Sequence, residues 1–360
     1  MTQLTIQTDS KQYDVYIGEG VRSKISCVLK DQNYSSVFII ADEFVFELHG
    51  QKLVREIPAN IPFHICKVPQ GEQAKSFAVY EETISAALTA KLDRQAVILA
   101  FGGGAIGDLA GFVASTYMRG IAFIGIPTTI LAHDSAVGGK VAINHELGKN
   151  MVGHFYQPSA VIYDLSFLVT LSEREVRSGL AEVIKHSLIA DPFFYRQLLS
   201  KKSLQEFKGD FLEEVLLKGI EIKNHIVSQD EREQGIRAYL NFGHTFGHAI
   251  EKQGNYSSIN HGEAVMFGMM FALHLSKSKL DLSIDLQEFH QWIEKLGYSL
   301  KIPNYPFDSL FSTMKLDKKA EKGHPRFVLL KEIGSPSVYN IHKNQLEETF
   351  ENIKSSIKGE

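Results

Sequence analysis

Short runs of β-branched and aromatic residues alternate with amphipathic stretches through the first third of the chain. Residues 36–41, 96–101 and 121–126 are apolar at nearly every position, which is the pattern of strands buried on both faces. Between the first two, residues 75–92 carry apolar side chains at helical spacing. This alternation predicts parallel βαβ units and an α/β layer. The period changes near Leu168, and helical spacing then dominates over 173–189, 211–229, 241–251, 262–277 and 286–296. Ser172 followed by Glu175 is a capping-box signal that opens the first of these helices. The pattern predicts an α/β domain over residues 1–168 and a mainly α-helical domain over 169–360. Residues 254–261 are polar and loop-like, and the tail from Asn344 is predicted to be an exposed terminal helix. No internal repeat or low-complexity segment is visible.

Composition narrows the class without naming a function. With 44% apolar and 22% charged residues among 360, the chain has a globular balance and enough length to bury a large core. A net charge of −4 gives no overall bias towards nucleic acid. Cys27 and Cys66 are too few for a disulfide framework or a thiolate zinc site, which fits a reducing cytoplasm. The opening residues have no basic segment leading into an apolar stretch, so no signal peptide is expected. The longest run of low polarity, 96–118, is broken by Asp108 and five glycines and does not read as a membrane span.

Candidate chemistry begins at the end of the second strand, which runs into Gly102-Gly-Gly104-Ala105-Ile106-Gly107-Asp108. This is G-x-G-x-x-G between a strand and a helix, where small residues let the backbone approach a pyrophosphate at a helix N-terminus. An ordinary tight βα turn would carry the same glycines, so the strand–turn–helix context bears the inference. The acid that usually holds the ribose about twenty residues on is absent, because Pro127-Thr128-Thr129 stands there. Asp108, placed inside the turn, is not that acid. Asp42, just past the first strand, takes its place, although a plain helix N-cap would suit it equally.

In the helical half, Asn241-Phe-Gly-His244-Thr-Phe-Gly-His248 puts two histidines on one helix face, and His261-Gly-Glu263 opens the next helix. One of the pair, with His261 and Glu182, has the donor set of a three-ligand zinc site with an open position. Asn241 and the other histidine would support it. The bland alternative for Glu182 and Lys185 is a surface ion pair one turn apart. His225, His274 and His290 read as surface or satisfied core residues. Lysines in glycine-flanked loops, Lys140 and Lys149 beside Asn150, join Arg119, Lys223 and Arg237 as a set suited to a small, multiply anionic substrate.

Taken in order, these segments resemble the 3-dehydroquinate synthases of the shikimate pathway. The resemblance rests on Gly71-Glu-Gln-Ala-Lys-Ser76, the glycine turn, Ser115-Thr-Tyr-Met-Arg119, Pro127-Thr-Thr129 and Asp134-Ser-Ala-Val-Gly-Gly-Lys140. It continues through Gly148-Lys-Asn150, Gly179-Leu-Ala-Glu182-Val-Ile-Lys185, the histidine pair and His261-Gly-Glu263. It implies a Rossmann-like NAD-binding domain followed by a helical metal- and substrate-binding domain. It also implies Glu182, His244 and His261 as ligands of zinc or cobalt. Asp42, Glu72, Lys75, Gly104, Ala105, Ile106, Gly107, Asp108, Thr128, Thr129, Lys149, Phe167 and Thr170 are implied for NAD.

Lys140, Lys185, His248, Asn150 and Arg119 are implied as catalytic. Asp134, Lys223, Arg237, Asn241 and one of Lys318 and Lys319 are implied for substrate. In the family, 3-deoxy-D-arabino-heptulosonate 7-phosphate is transiently oxidised, loses phosphate by β-elimination, is reduced again and closes by an intramolecular aldol reaction. Arg119 resembles a phosphate ligand taken from the partner subunit, which implies a homodimer; a nucleic-acid or membrane partner is not expected. Two other enzymes remain open: a cyclase for a sugar phosphate lacking the carboxylate, and a polyol dehydrogenase of the glycerol dehydrogenase type. A non-enzymatic NAD-binding protein is the reading from another class. Lys223 and Arg237 speak against the first, and the number of phosphate-seeking lysines against the second.

Overall fold

The structure is a computed structural model that describes residues 1–254, 258–299, 301–315 and 324–358. Lys318 and Lys319 lie outside the described residues. The chain separates into two compact units, 1–172 with 223–232, and 173–222 with 233–360. The division falls four residues beyond the expected 168, and the return of residues 223–232 to the first unit corrects the expectation of two uninterrupted domains. Buried side chains explain that return. Lys223 pairs with Asp134, and Glu231 accepts from the backbone N–H and hydroxyl of Ser10 and from the side-chain amide of Gln157.

In the first unit the elements run β1 (Thr2–Gln7), β2 (Gln12–Gly18), α1 (Lys24–Asp31), β3 (Val37–Asp42), α2 (Glu43–Val54) and β4 (Phe63–Val68). They continue with α3 (Phe77–Thr89), β5 (Val97–Gly102), α4 (Gly104–Thr116), β6 (Ala122–Pro127), the single turn α5 (Ala132–Ser135), β7 (Lys140–His145), β8 (Gly148–Phe155) and β9 (Ala160–Asp164). Seven strands form one sheet in the order β1-β2-β9-β6-β5-β3-β4, parallel except for the β1–β2 pair. The three strands read from sequence are β3, β5 and β6, each shifted by one residue, and β3 and β5 are buried at every position. Alternate residues divide between two cores. Val37, Ile39 and Ala41 pack on one face with Leu99 and Phe101, and Phe38 and Ile40 pack on the other with Ile98 and Ala100.

The chain leaves β3 towards β4 on one side and resumes at β5 on the other, so the strand order reverses between β3 and β5. Parallel α/β sheets bind ligands outside the carboxyl ends of the strands at such a point. The helix expected over 75–92 starts at Phe77, where Ser76 caps it by accepting from the Val79 N–H; Lys75 belongs to the preceding 3-10 turn Gly71–Lys75.

The second unit contains α6 (Glu173–Ala190), α7 (Pro192–Leu199) and α8 (Gly209–Val227), the last of which passes back to the first unit at Lys223. It continues with α9 (His244–Gln253), α10 (His261–Leu280), α11 (Leu286–Lys295), α12 (Phe307–Lys315), the hairpin strands β10 (Arg326–Leu330) and β11 (Pro336–Asn340), and α13 (Lys343–Lys358). The helix expected from Asn241 begins instead at His244, because the preceding 3-10 turn Ile236–Asn241 ends at Phe242 and the next residue, Gly243, is left-handed (φ 80°) at the N-cap of α9. The exposed terminal helix is also corrected. Leu346, Phe350 and Ile353 form a fully buried stripe on α13, and the Phe350 ring lies 5.5 Å from Phe307 and 6.1 Å from Phe246.

Candidate active site

In the first unit the glycine turn lies between the ends of β3 and β6. The Thr128 N–H donates to the Gly102 carbonyl at 3.0 Å, and a Cβ on Gly102 would sit 3.3 Å from the Asp42 Cβ. Asp42 therefore reaches the turn from the neighbouring strand end. It also caps α2, its Oδ1 accepting from the N–H groups of Phe44 and Val45 at 3.0 and 3.1 Å. Asp108 is not in the turn as expected but on α4, one turn after its start. The N-terminus of α4 has no side-chain cap. The buried hydroxyls of Thr128, Thr129 and Ser135 have no partner among the described residues. Ser135 faces Gly104 so closely that a Cβ there would lie 2.8 Å from its Oγ. Uncapped helix N–H groups, orphaned hydroxyls and a cavity lined by Gly103, Gly104, Gly107, Pro127 and Lys140 fit an anionic dinucleotide.

Other expected residues gather nearby. The Lys75 ammonium is buried, 2.5 Å from Asp108 and hydrogen-bonded to the Asn150 side-chain carbonyl. Burial works against its charge, but the carboxylates of Asp108 and Glu72 outweigh it and raise its pKa. Lys149 lies 3.9 Å from Glu72, whose other oxygen accepts from Asn144 at 2.7 Å. Lys223 contacts the Asp134 carbonyl and sits 3.1 Å from its carboxylate. Phe167 is buried against Phe101 and His49, and His49 Nε2 is 2.9 Å from the Thr170 hydroxyl. Arg119 does not join them: it is exposed on a tight turn beyond the C-terminus of α4, the end opposite the glycine turn, at φ 68° beside Met118 at φ 49°.

In the second unit α6, α9 and α10 bring together a separate group of the expected residues. Glu182 is fully buried on α6. Its Oε1 lies 3.5 Å from His244 Nε2 at the start of α9 and 3.4 Å from His261 Nε2 at the start of α10, while Oε2 holds the buried ammonium of Lys185. The surface ion pair considered from sequence is thus an interior one. Close backbone approach at glycines accompanies this spacing: a Cβ on Gly268 of α10 would overlap the Gly243 carbonyl, and one on Gly262 would overlap the Ser178 backbone of α6.

One ligand atom from each of Glu182, His244 and His261 lies within 4.8 Å of the others. Burial, together with Lys185, His248 and His261, pushes the His244 pKa well down against the pull of Glu182. Burial opposes charge on His261 too, but there the carboxylates of Glu251 and Glu182 win and push the pKa up to about 10. Two buried carboxylates around borderline nitrogen donors call for positive charge and suit a divalent cation of the zinc or cobalt kind. His248 is stacked edge-on to His244 at 5.3 Å. Asn241 donates to Glu233 at 2.6 Å, and Arg237 is 1% exposed. His274 and His290, expected to be surface or satisfied core residues, stack on each other at 5.2 Å.

Two residues beside the site were missed in sequence. Glu251 contacts His261 Nδ1 at 3.3 Å, and a signal was present, because His244, His248 and Glu251 recur at i, i+4 and i+7 on one helix face. Glu233 gave none. It lies in a run of polar residues that reads as a solvated loop.

The whole chain shares its fold with two structurally known cyclases. One is a 2-deoxy-scyllo-inosose synthase complexed with carbaglucose-6-phosphate, NAD+ and Co2+, with a TM-score of 0.88, 27% identity, and coverage of 98% of this chain and 99% of that one. The other is ValA, the 2-epi-5-epi-valiolone synthase of Streptomyces hygroscopicus subsp. jinggangensis 5008, with NAD+ and Zn2+ bound. It has a TM-score of 0.87, 25% identity, and coverage of 96% and 97%. By this likeness the chain groups with the sugar phosphate cyclases.

Residues 65–178 match the family described as 3-dehydroquinate synthase N-terminal, and residues 179–320 match its C-terminal counterpart. The 3-dehydroquinate synthase of Listeria welshimeri serovar 6b is 50% identical over 360 residues, covering 98% of each chain. The chain belongs to the 3-dehydroquinate synthase family and has that family's activity.

Proposed function

We propose that this chain converts 3-deoxy-D-arabino-heptulosonate 7-phosphate to 3-dehydroquinate and phosphate, with NAD at the glycine turn and one zinc or cobalt ion at Glu182, His244 and His261. The observation that carries the residue assignment is the meeting of buried Glu182 with the half-buried His244 and His261, one ligand atom of each within 4.8 Å of the others. When bound, the cation supplies Lewis acidity and NAD a reversible hydride acceptor, so that oxidation, phosphate elimination, reduction and aldol closure leave no net redox change.

The chain's own residues bind and orient. In the first unit the N–H groups of Gly104 to Gly107 and the hydroxyls of Thr128 and Thr129 receive the pyrophosphate. Asp42 gives α2 one oxygen and keeps the other for a ribose hydroxyl. Glu72, Lys75, Asp108, Lys149, Phe167 and Thr170 complete the cofactor's surroundings. Lys140 and Asn150 take the substrate phosphate, and Lys223 with Asp134 takes its carboxylate end. In the second unit Glu182 holds Lys185 beside the cation site, and Glu233 holds Asn241. Arg237 supplies a further charge for the carboxylate, and His248 relays a proton. Holding one flexible substrate in reactive geometry is the larger part of this catalysis.

A homodimer belongs to the same reading. Arg119 is exposed on a strained turn and makes no ion pair among the described residues, which leaves its guanidinium to the phosphate bound by a second copy. The cytoplasm is the expected location, supported by two free thiols at Cys27 and Cys66. No described helix is long and apolar enough to cross a membrane.

Glu182→Gln and His244→Ala should lose tight divalent-cation binding and phosphate release together, while NAD+ binding, titrated separately, is retained. Either variant turning over at the wild-type rate contradicts the assignment.

A further inference from the structure

We propose that Glu251 is a positioning residue for the cation site: its carboxylate accepts the Nδ1 proton of His261 and fixes the tautomer that leaves Nε2, facing Glu182, as the ligating atom. The imidazole of His261 lies between two carboxylates, with Nε2 3.4 Å from Glu182 Oε1 and Nδ1 3.3 Å from Glu251 Oε2. Only the Glu182 side also meets His244, whose Nε2 is 3.5 Å from the same oxygen. The cation ligands therefore gather at Glu182, and Glu251 stands behind the ring.

His244 is oriented differently, its Nδ1 lying 3.2 Å from the Phe242 carbonyl. Both histidines thus present Nε2, one backed by a neutral carbonyl and the other by a charge. Glu251 is only 3% exposed, and a carboxylate that deeply buried is costly unless something holds it. A carboxylate behind a ligating imidazole fixes its orientation and strengthens it as a donor, and losing such a partner weakens metal binding about 10–100-fold.

The competing arrangement makes Glu251 a ligand itself. Atoms of His248, Glu251 and His261 also lie within 4.8 Å of one another, and a second cation there would need His261 Nδ1 stripped of its proton. The two arrangements differ in stoichiometry and in the proton on Nδ1.

The inference rests on Glu182, His244 and His261 being the cation site, and the test separates the two claims. Zinc affinity and stoichiometry would be measured by chelator competition on the full chain for wild type, the near-isosteric Glu251→Gln, and Glu251→Ala. The imidazole nitrogens would be read by NMR in the zinc-loaded wild type. One zinc per chain, an Nδ1-protonated His261, and affinity weakened about tenfold in Glu251→Gln and towards a hundredfold in Glu251→Ala are expected. Unchanged affinity in both variants, with wild type binding one zinc, overturns the role of Glu251 and leaves the cation site standing. Two zinc ions per chain, or a deprotonated Nδ1, also overturns it. A wild type that binds no zinc tightly overturns both claims.

Discussion

Buried carboxylates anchor several polar side chains of this chain, as Glu182 does Lys185 and Glu231 does Gln157. Asp164, at the end of β9, shows the effect away from the catalytic groups. Burial opposes its charge, but the Ser166 hydroxyl and the N–H groups of Arg22, Ser166 and Gly20 outweigh it, aided by the Arg22 guanidinium at 3.0 Å. Its pKa is held below the usual carboxylate value. A group lowered in this way stabilises the fold above its unfolded pKa of about 3.9, and that stability is lost as pH falls through the folded value. Asp164→Asn should therefore cost roughly 1–3 kcal/mol at pH 7. In urea melts run at a series of pH values, the gap to wild type should close below about pH 4. A gap that is constant down to the acid limit would contradict this account. Glu182 was legible at this scale because its chemistry is local to a short motif. Glu233 was not, since its role depends on a turn that brings it to Asn241 eight positions away.

At the scale of elements, period and punctuation carried the reading. Continuous apolar runs gave β3, β5 and β6, because a strand covered on both faces has no polar alternation to hide it. Helix ends were less legible, because they are set by capping and by left-handed residues such as Gly243, which periodicity does not register. The terminal helix was read as exposed because its polar residues outnumber the stripe formed by Leu346, Phe350 and Ile353, and only the structure shows what that stripe meets. The glycines of the histidine segment have a reason no spacing rule supplies. They let α9 and α10 approach backbone to backbone, and His244 follows Gly243 directly. Gly268→Ala should destabilise the fold by at least ~1–3 kcal/mol through overpacking. It should also lower zinc content as His244 is displaced, with thermal melting and metal analysis reading the two effects. Wild-type stability with full zinc would show that the close approach is dispensable.

For the whole molecule, the change of period near Leu168 marks the passage from sheet to helices, but nothing local announces the long-range return of Lys223–Arg232 to the first unit. Assembly is the other question at this scale. If Arg119 acts on the phosphate of a second copy, mixing Arg119→Ala with Lys185→Met under subunit exchange creates hybrids with one intact site. Activity should recover to about a quarter of wild type, the share expected for random pairing into two-fold dimers. No recovery would put Arg119 in its own subunit's site.

The central claim, a cyclase that uses its nicotinamide cofactor without consuming it, is tested most directly by following phosphate release from 3-deoxy-D-arabino-heptulosonate 7-phosphate and NADH absorbance together. Phosphate released over many turnovers, dependent on the divalent cation and on trace NAD+, with no lasting NADH, is the predicted result. NADH accumulating without phosphate would contradict it and mark the chain as a dehydrogenase.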